Sequence, residues 1–204
     1  MRCKSIAGLG ALALLAVVTA GGSFARAENG VQADQYAKRM FAGKFAAQGK
    51  SYACFARRYD AAHLAKHPQQ NVSAMRMLVE AELVPEDTKL SYNFAVGVNF
   101  RDKPGNFTNE GGCGYPEVSQ VSADKLQLEC NVSCDGRSLT VELTKADKSI
   151  LVRVEGLSLG SEKHPDAGIG DGDDRVFRLD RVDLDECKSL MKDGNTDNEK
   201  PATM

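Results

Sequence analysis

The chain has 204 residues, with 26 Lys and Arg against 28 Asp and Glu, a net charge of −2 and no tryptophan. This length suits one domain with a real core. The mild acidity, without basic runs or interleaved aromatics, argues against nucleic acid or anionic lipid as a partner, because both demand a cationic face.

The first 27 residues have the composition of an export signal. Arg2 and Lys4 precede the apolar run Ala11 to Val18, and Ala25-Arg26-Ala27 places small residues at the two positions a signal peptidase reads. A retained membrane helix needs about 20 strongly apolar residues, whereas this span is diluted by Gly8, Gly10, Thr19, Gly21 and Gly22. Cys3 lies before the apolar run, not after it as a lipoprotein requires. The expectation is cleavage after Ala27 and a periplasmic or secreted location, with no membrane insertion afterwards. Removing 27 of the 204 residues leaves 177, and because the leader carries three basic residues and no acid, 23 basic then face 28 acidic groups.

Beyond the leader the pattern predicts an N-terminal helical segment over 28–50, a β-domain over 51–191 and a disordered polar tail over 192–204. Ala33, Tyr36, Ala37, Met40 and Phe41 recur at helical spacing within an amphipathic helix predicted over Gln32–Gln48. Ser51 to Arg58 suits a short strand, and Asp60 to Lys66 one or two helical turns stopped by Pro68. The period then becomes two. Met75, Met77, Val79, Ala81 and Leu83 alternate with polar residues; so, after Pro85-Glu86-Asp87, do Leu90, Tyr92, Phe94, Val96, Val98 and Phe100. Asp102 to Gly114, rich in Gly, Asn and Pro, reads as a loop.

Asp135-Gly136 signals a hairpin with a two-residue type I′ turn over Leu126–Leu143. That turn pairs Val132 with Leu139, Cys130 with Val141 and Leu128 with Leu143, all on one face. Ile150, Val152 and Val154 mark another strand, and an acidic, Gly-rich loop spans Gly160 to Asp174. The next strand begins at Val176, with its alternation broken at Arg181-Val182 as by a bulge. A short helix over Asp183–Met191 follows.

Of six cysteines, Cys54, Cys113, Cys130, Cys134 and Cys187 survive cleavage, and an oxidising compartment favours disulfides over metal. Cys54 opens the β-region and Cys187 ends it, so closure of the sheet predicts a Cys54–Cys187 bridge. A second bridge is expected from Cys113 to Cys134 or Cys130, leaving the more buried of that C-x3-C pair as an inert thiol.

Two sets of residues have metal-ligand character. His63 and His67 share a helix face at i, i+4, a zinc spacing that still needs a third ligand. Asp171, Asp173 and Asp174 (beside Asp166) crowd one loop as calcium ligands do, although their order is not that of an EF-hand and Arg175 opposes a cation. The commoner readings are loop-anchoring histidines and a solvated acidic loop, so no cofactor is expected and calcium is the one possible exception. Gly156-Leu157-Ser158-Leu159-Gly160 has the spacing of a nucleophile elbow, but a polar loop with Pro165 follows where the elbow requires a helix. A cysteine–histidine dyad would need Cys54 unbridged.

The whole is mostly β: an antiparallel meander of about seven or eight strands, as a small barrel or sandwich, behind one amphipathic helix. That order is similar to lipocalin-like and other small calycin barrels at the level of fold, without the Gly-x-Trp opening of lipocalins. No constellation supports catalysis. The expected role is non-enzymatic binding of an unidentified protein partner, as by an inhibitor or an envelope component. The rivals are a small apolar ligand held in a barrel interior and a metal-assisted or Cys/Ser hydrolase.

Overall fold

Apolar residues at every second position give each strand one face to bury. In the computed structural model eight such strands close on themselves as an antiparallel barrel. The structure describes residues 35–44, 49–84, 89–114, 126–132, 138–159, 163–164 and 167–191. The barrel strands are β1 (Lys50–Arg58), β2 (Val72–Val84), β3 (Lys89–Phe100), β4 (Phe107–Gly114), β5 (Gln127–Asn131), β6 (Ser138–Leu143), β7 (Ser149–Val154) and β10 (Val176–Val182). Their order around the barrel is β1-β10-β7-β6-β5-β4-β3-β2, while β8 (Leu157–Ser158) and β9 (Gly168–Ile169) pair apart as a small ribbon. A short helix α1 spans 35–40, α2 spans Ala61–Lys66, and a 3₁₀-helix, Leu184–Leu190, follows the last strand.

The pleat sorts the side chains. Met75, Met77, Phe94, Val96, Leu128, Val141, Val152, Phe177 and Leu179 point inward and are at most 2% exposed. Arg76, Glu80, Glu110, Glu142, Arg153 and Arg178 alternate with them on the outside. A membrane-spanning barrel needs the reverse, an apolar outer band. Among the described residues no helix is long and apolar enough to cross a membrane.

Five sequence expectations need correction. The helix predicted over Gln32–Gln48 stops at 40, because Ala42 and Gly43 take positive φ of 50° and 73° and turn the chain away. Residues 107–114, read as loop, form β4. Its glycines carry little strand propensity, but β3 pairs along its length and tertiary pairing outweighs propensity.

The hairpin register also differs, by two residues: Leu128 lies opposite Val141 and Cys130 opposite Leu139. Pairing to β4 on one side and β7 on the other sets this register, not the local turn preference. An even shift keeps every side chain on its predicted face. Cys134, Asp135 and Gly136, with the predicted turn, lie outside the described residues.

The bulge expected at Arg181 is absent, since β1 and β10 pair without a shift through Cys54↔Val182, Phe55↔Arg181 and Ala56↔Asp180. Arg181 is simply an inward position filled by a cation. Lastly, the buried Cys130 is not a free thiol. Register sets Cys113 directly opposite it on β4, and the two are bridged with Cα atoms 4.0 Å apart. The other bridge joins Cys54 to Cys187, Cα atoms 5.9 Å apart across 133 residues.

Neighbouring glycines test the inward and outward assignments. A Cβ on Gly111 would come within 2.2 Å of the Asn131 carbonyl oxygen and 2.9 Å of the Phe94 ring, whereas at Gly112 the nearest atom is 3.9 Å away. Gly111→Ala is therefore expected to cost about 1–3 kcal/mol in chemical denaturation, from overpacking against backbone. Gly112→Ala should stay within about 0.5 kcal/mol of the parent. Equal losses at both positions would contradict the register of β4.

Candidate binding surface

Both ends of the barrel are closed from inside. At one mouth α1 is the plug: Tyr36 meets Tyr92 edge-on at 5.8 Å, Phe41 stacks on Tyr92 at 6.5 Å, and Met40 is fully buried. Arg181 clamps the plug in place. Its Nη1 donates to the Met40 carbonyl at 2.7 Å, Nη2 to the Arg39 carbonyl at 3.3 Å and Nε to the Asp147 carbonyl at 2.9 Å. The guanidinium also lies 4.7 Å over the Phe55 ring. Arg39 itself donates through Nε to the Asp147 carboxylate at 2.7 Å. At the other end Phe100 and Phe107 meet edge-on at 5.1 Å, with Leu157, Leu159, Ala167 and Ile169 buried over them. The described inward side chains are buried against one another as one core, as a small barrel permits.

Among the described residues, two concavities adjoin on the outer wall. The 3₁₀-helix crosses β1, β2 and β3, burying Cys187 and Leu190 against Cys54 and Leu78. It can lie so close because β3 presents Gly97 there, where a Cβ would stand 3.1 Å from Leu190. Beside this ridge runs a groove of about 400 Å³ lined by Lys50, Leu78, Glu80, Asn93, Glu110 and Leu190. Gly111 and Gly112 extend its wall without side chains. A second depression of about 480 Å³ adjoins it, sharing Ala95, Glu110 and Leu190. The groove's lining mixes the apolar Leu78, Ala95 and Leu190 with the polar and charged Asn93, Lys50, Glu80 and Glu110. Lys50 Nζ sits 2.9 Å from Glu80 Oε1 and 3.9 Å from Glu82 Oε2, and the hydrogen bond to Glu80 raises the Lys50 pKa.

The sequence-predicted metal residues serve a different end of the molecule. His63 and His67 do share one face of the α2 turn, but their rings stack on each other at 4.4 Å rather than opening onto a common ligand. His63 stacks in turn on Tyr59 at 4.7 Å and its Nε2 meets Gln70 Oε1 at 3.1 Å. Asp173 Oδ2 lies 3.7 Å from His67 Nδ1. Asp174 is buried, and its oxygens accept from the backbone N–H groups of Asn71 at 2.8 Å and Val72 at 3.2 Å. The acidic loop is thus anchored to the α2–β2 connection, with Asp171 closing its turn by accepting from the Asp174 N–H. Among the described residues no three His, Cys, Asp or Glu side chains gather as metal ligands. The elbow-like Ser158 belongs to β8 and pairs with Gly168, and the next described element is the strand β9 rather than a helix. Cys54 is bridged and so provides no nucleophile.

Burial raises the Asp174 carboxyl pKa, and its two backbone hydrogen bonds offset only part of that. Between the ordinary carboxylate value and the raised native one, the folded chain holds more protons than the unfolded chain. The contribution of this group to stability therefore falls as pH rises through that window. Asp174→Asn should flatten the stability–pH profile there, read from urea midpoints across the acid range; an unchanged slope would contradict the burial.

Sequence reasoning singled out none of the groove residues, because they come from four strands and a helix with no local pattern between them. Comparison with protein-family models, with curated proteins and with solved structures finds no match for this chain.

Proposed function

We propose that this protein is an exported barrel that binds a protein partner through the groove between its 3₁₀-helix and strands β2 to β4. One observation carries the reading: the described inward side chains are buried against one another and α1 plugs a mouth, while the groove on the outer wall sets Leu78, Ala95 and Leu190 among the charged Lys50, Glu80 and Glu110. Protein interfaces have this composition, an apolar centre ringed by polar groups. A small apolar ligand would instead need room inside. Two disulfides suit the oxidising compartment that the leader implies. Intact mass of the exported protein should then correspond to a chain beginning at Glu28, and a membrane-bound full-length form would contradict export with cleavage.

The binding reading is tested by capture from the native extracellular or periplasmic extract, comparing the parent with Gly112→Arg. That substitution projects a long side chain into the groove from an open position. A partner held by the parent and lost by the variant, at unchanged thermal stability, is the expected outcome. A partner held equally by both moves the site elsewhere.

A further inference from the structure

We propose, resting on the binding reading above, that the partner enters this groove as an extended chain segment carrying a lysine or arginine, with a peptide group held by Asn93 and the cation drawn to the carboxylates around it. Strand register lays out the outer wall as two rows of three. Glu80, Asn93 and Gly112 stand opposite one another on β2, β3 and β4, and so do Leu78, Ala95 and Glu110 in the adjacent outward row. The two carboxylates thus occupy diagonal corners, and the small Ala95 and Gly112 keep the space between them clear. Among the described residues beyond its chain neighbours, the one atom within 4 Å of where a Gly112 Cβ would stand is Asn93 Oδ1, at 3.9 Å.

Asn93 is the polar group that the fold leaves unspent. Its side chain is partly buried, and among the described residues no hydrogen bond engages its carboxamide. A half-desolvated amide gains from any partner that supplies the missing bonds. Oδ1 accepts and Nδ2 donates, the complement of the N–H and C=O that an extended main chain presents. A side chain at position 112 would hold such a backbone off; glycine admits it. Charge selects what the segment carries. Three carboxylates, Glu80, Glu82 and Glu110, surround one ammonium, Lys50, so the four groups sum to −2. Arg76, the next outward residue of β2, donates to the Glu186 carbonyl, Ser189 Oγ and Asn106 Oδ1 and lines neither depression. A lysine or arginine stem lies along Leu78, Ala95 and Leu190 while its head stays at the carboxylates, as long cationic side chains do on apolar surface. An acidic segment would meet the same field as repulsion.

The test pans a random linear dodecapeptide library against the disulfide-intact mature chain. Enriched peptides are then measured by fluorescence anisotropy on the parent and on Asn93→Leu, Glu110→Gln and Gly112→Arg. Lysine or arginine should recur among the enriched sequences, and added salt should weaken their binding. Asn93→Leu keeps the size of the side chain and removes both polar atoms. It and Glu110→Gln should each weaken binding about fivefold or more, at a thermal midpoint matching the parent's. If the leucine variant does not fold, Asn93→Ala carries that arm. N-methylation of one backbone amide in the best peptide should bring a loss of the same order. Enrichment of acidic peptides or of none, a backbone insensitive to N-methylation, or affinities that only Gly112→Arg lowers would each overturn the proposal and leave the groove itself to the capture assay. Peptides that bind all four chains equally would remove the groove as well.

Discussion

Replacing both Cys54 and Cys187 by alanine is expected to lower the unfolding free energy by about 4–5 kcal/mol, the chain-entropy value for a closed loop of more than a hundred residues. The bridge spans 133 residues and ties the first strand to the helix after the last. It acts where the barrel needs it, since β1 and β10 share only three pairs while β1 and β2 share nine. The same bond holds the 3₁₀-helix on the wall, so its loss should also free Leu190 from Leu78. Urea denaturation of the double variant gives the number, and proteolysis after Lys188 reports the helix. A loss below about 1 kcal/mol would mean that packing alone closes the seam.

The second large effect is expected at Arg181. Replacement by methionine keeps much of the length and removes every donor, leaving the carbonyls of Met40, Arg39 and Asp147 without this partner. Orphaned acceptors of a charged donor in a partly buried site cost about 2–4 kcal/mol together. The plug should loosen before the barrel does, so limited proteolysis at Lys38, Arg39 and Lys44 ought to speed up at concentrations of urea that leave the strands intact. Unchanged proteolysis would show that Tyr36, Met40 and Phe41 hold the plug by packing alone.

Arg181 also shows how far a hydrophobic pattern can be read. Its position in β10 continues the inward series of Phe177 and Leu179. A cation in an apolar series imitates a bulge, because the pattern records hydrophobicity and not direction. Strands β2 and β3 are legible since their inward residues are uniformly apolar. Strand β4 is not, because Gly111 stands at an inward position whose space belongs to the Phe94 ring and the Asn131 carbonyl. The hairpin had the right faces and the wrong register, since alternation fixes parity alone and the flanking strands fix the pairing. The i, i+4 rule likewise placed His63 and His67 on one face. It could not show that they would stack on each other and on Tyr59. The groove was out of reach altogether, being assembled from Lys50, Glu80, Glu110 and Leu190 only once the barrel has closed.

We propose above all that this barrel binds outside and not inside. The most direct test is titration of the mature protein with an apolar fluorescent probe such as N-phenyl-1-naphthylamine, alongside the Tyr36→Ala variant, which opens a void beneath the plug. The parent should show no saturable site and the variant a weak one. Stoichiometric, saturable binding by the parent would place a ligand in the barrel interior and contradict the account.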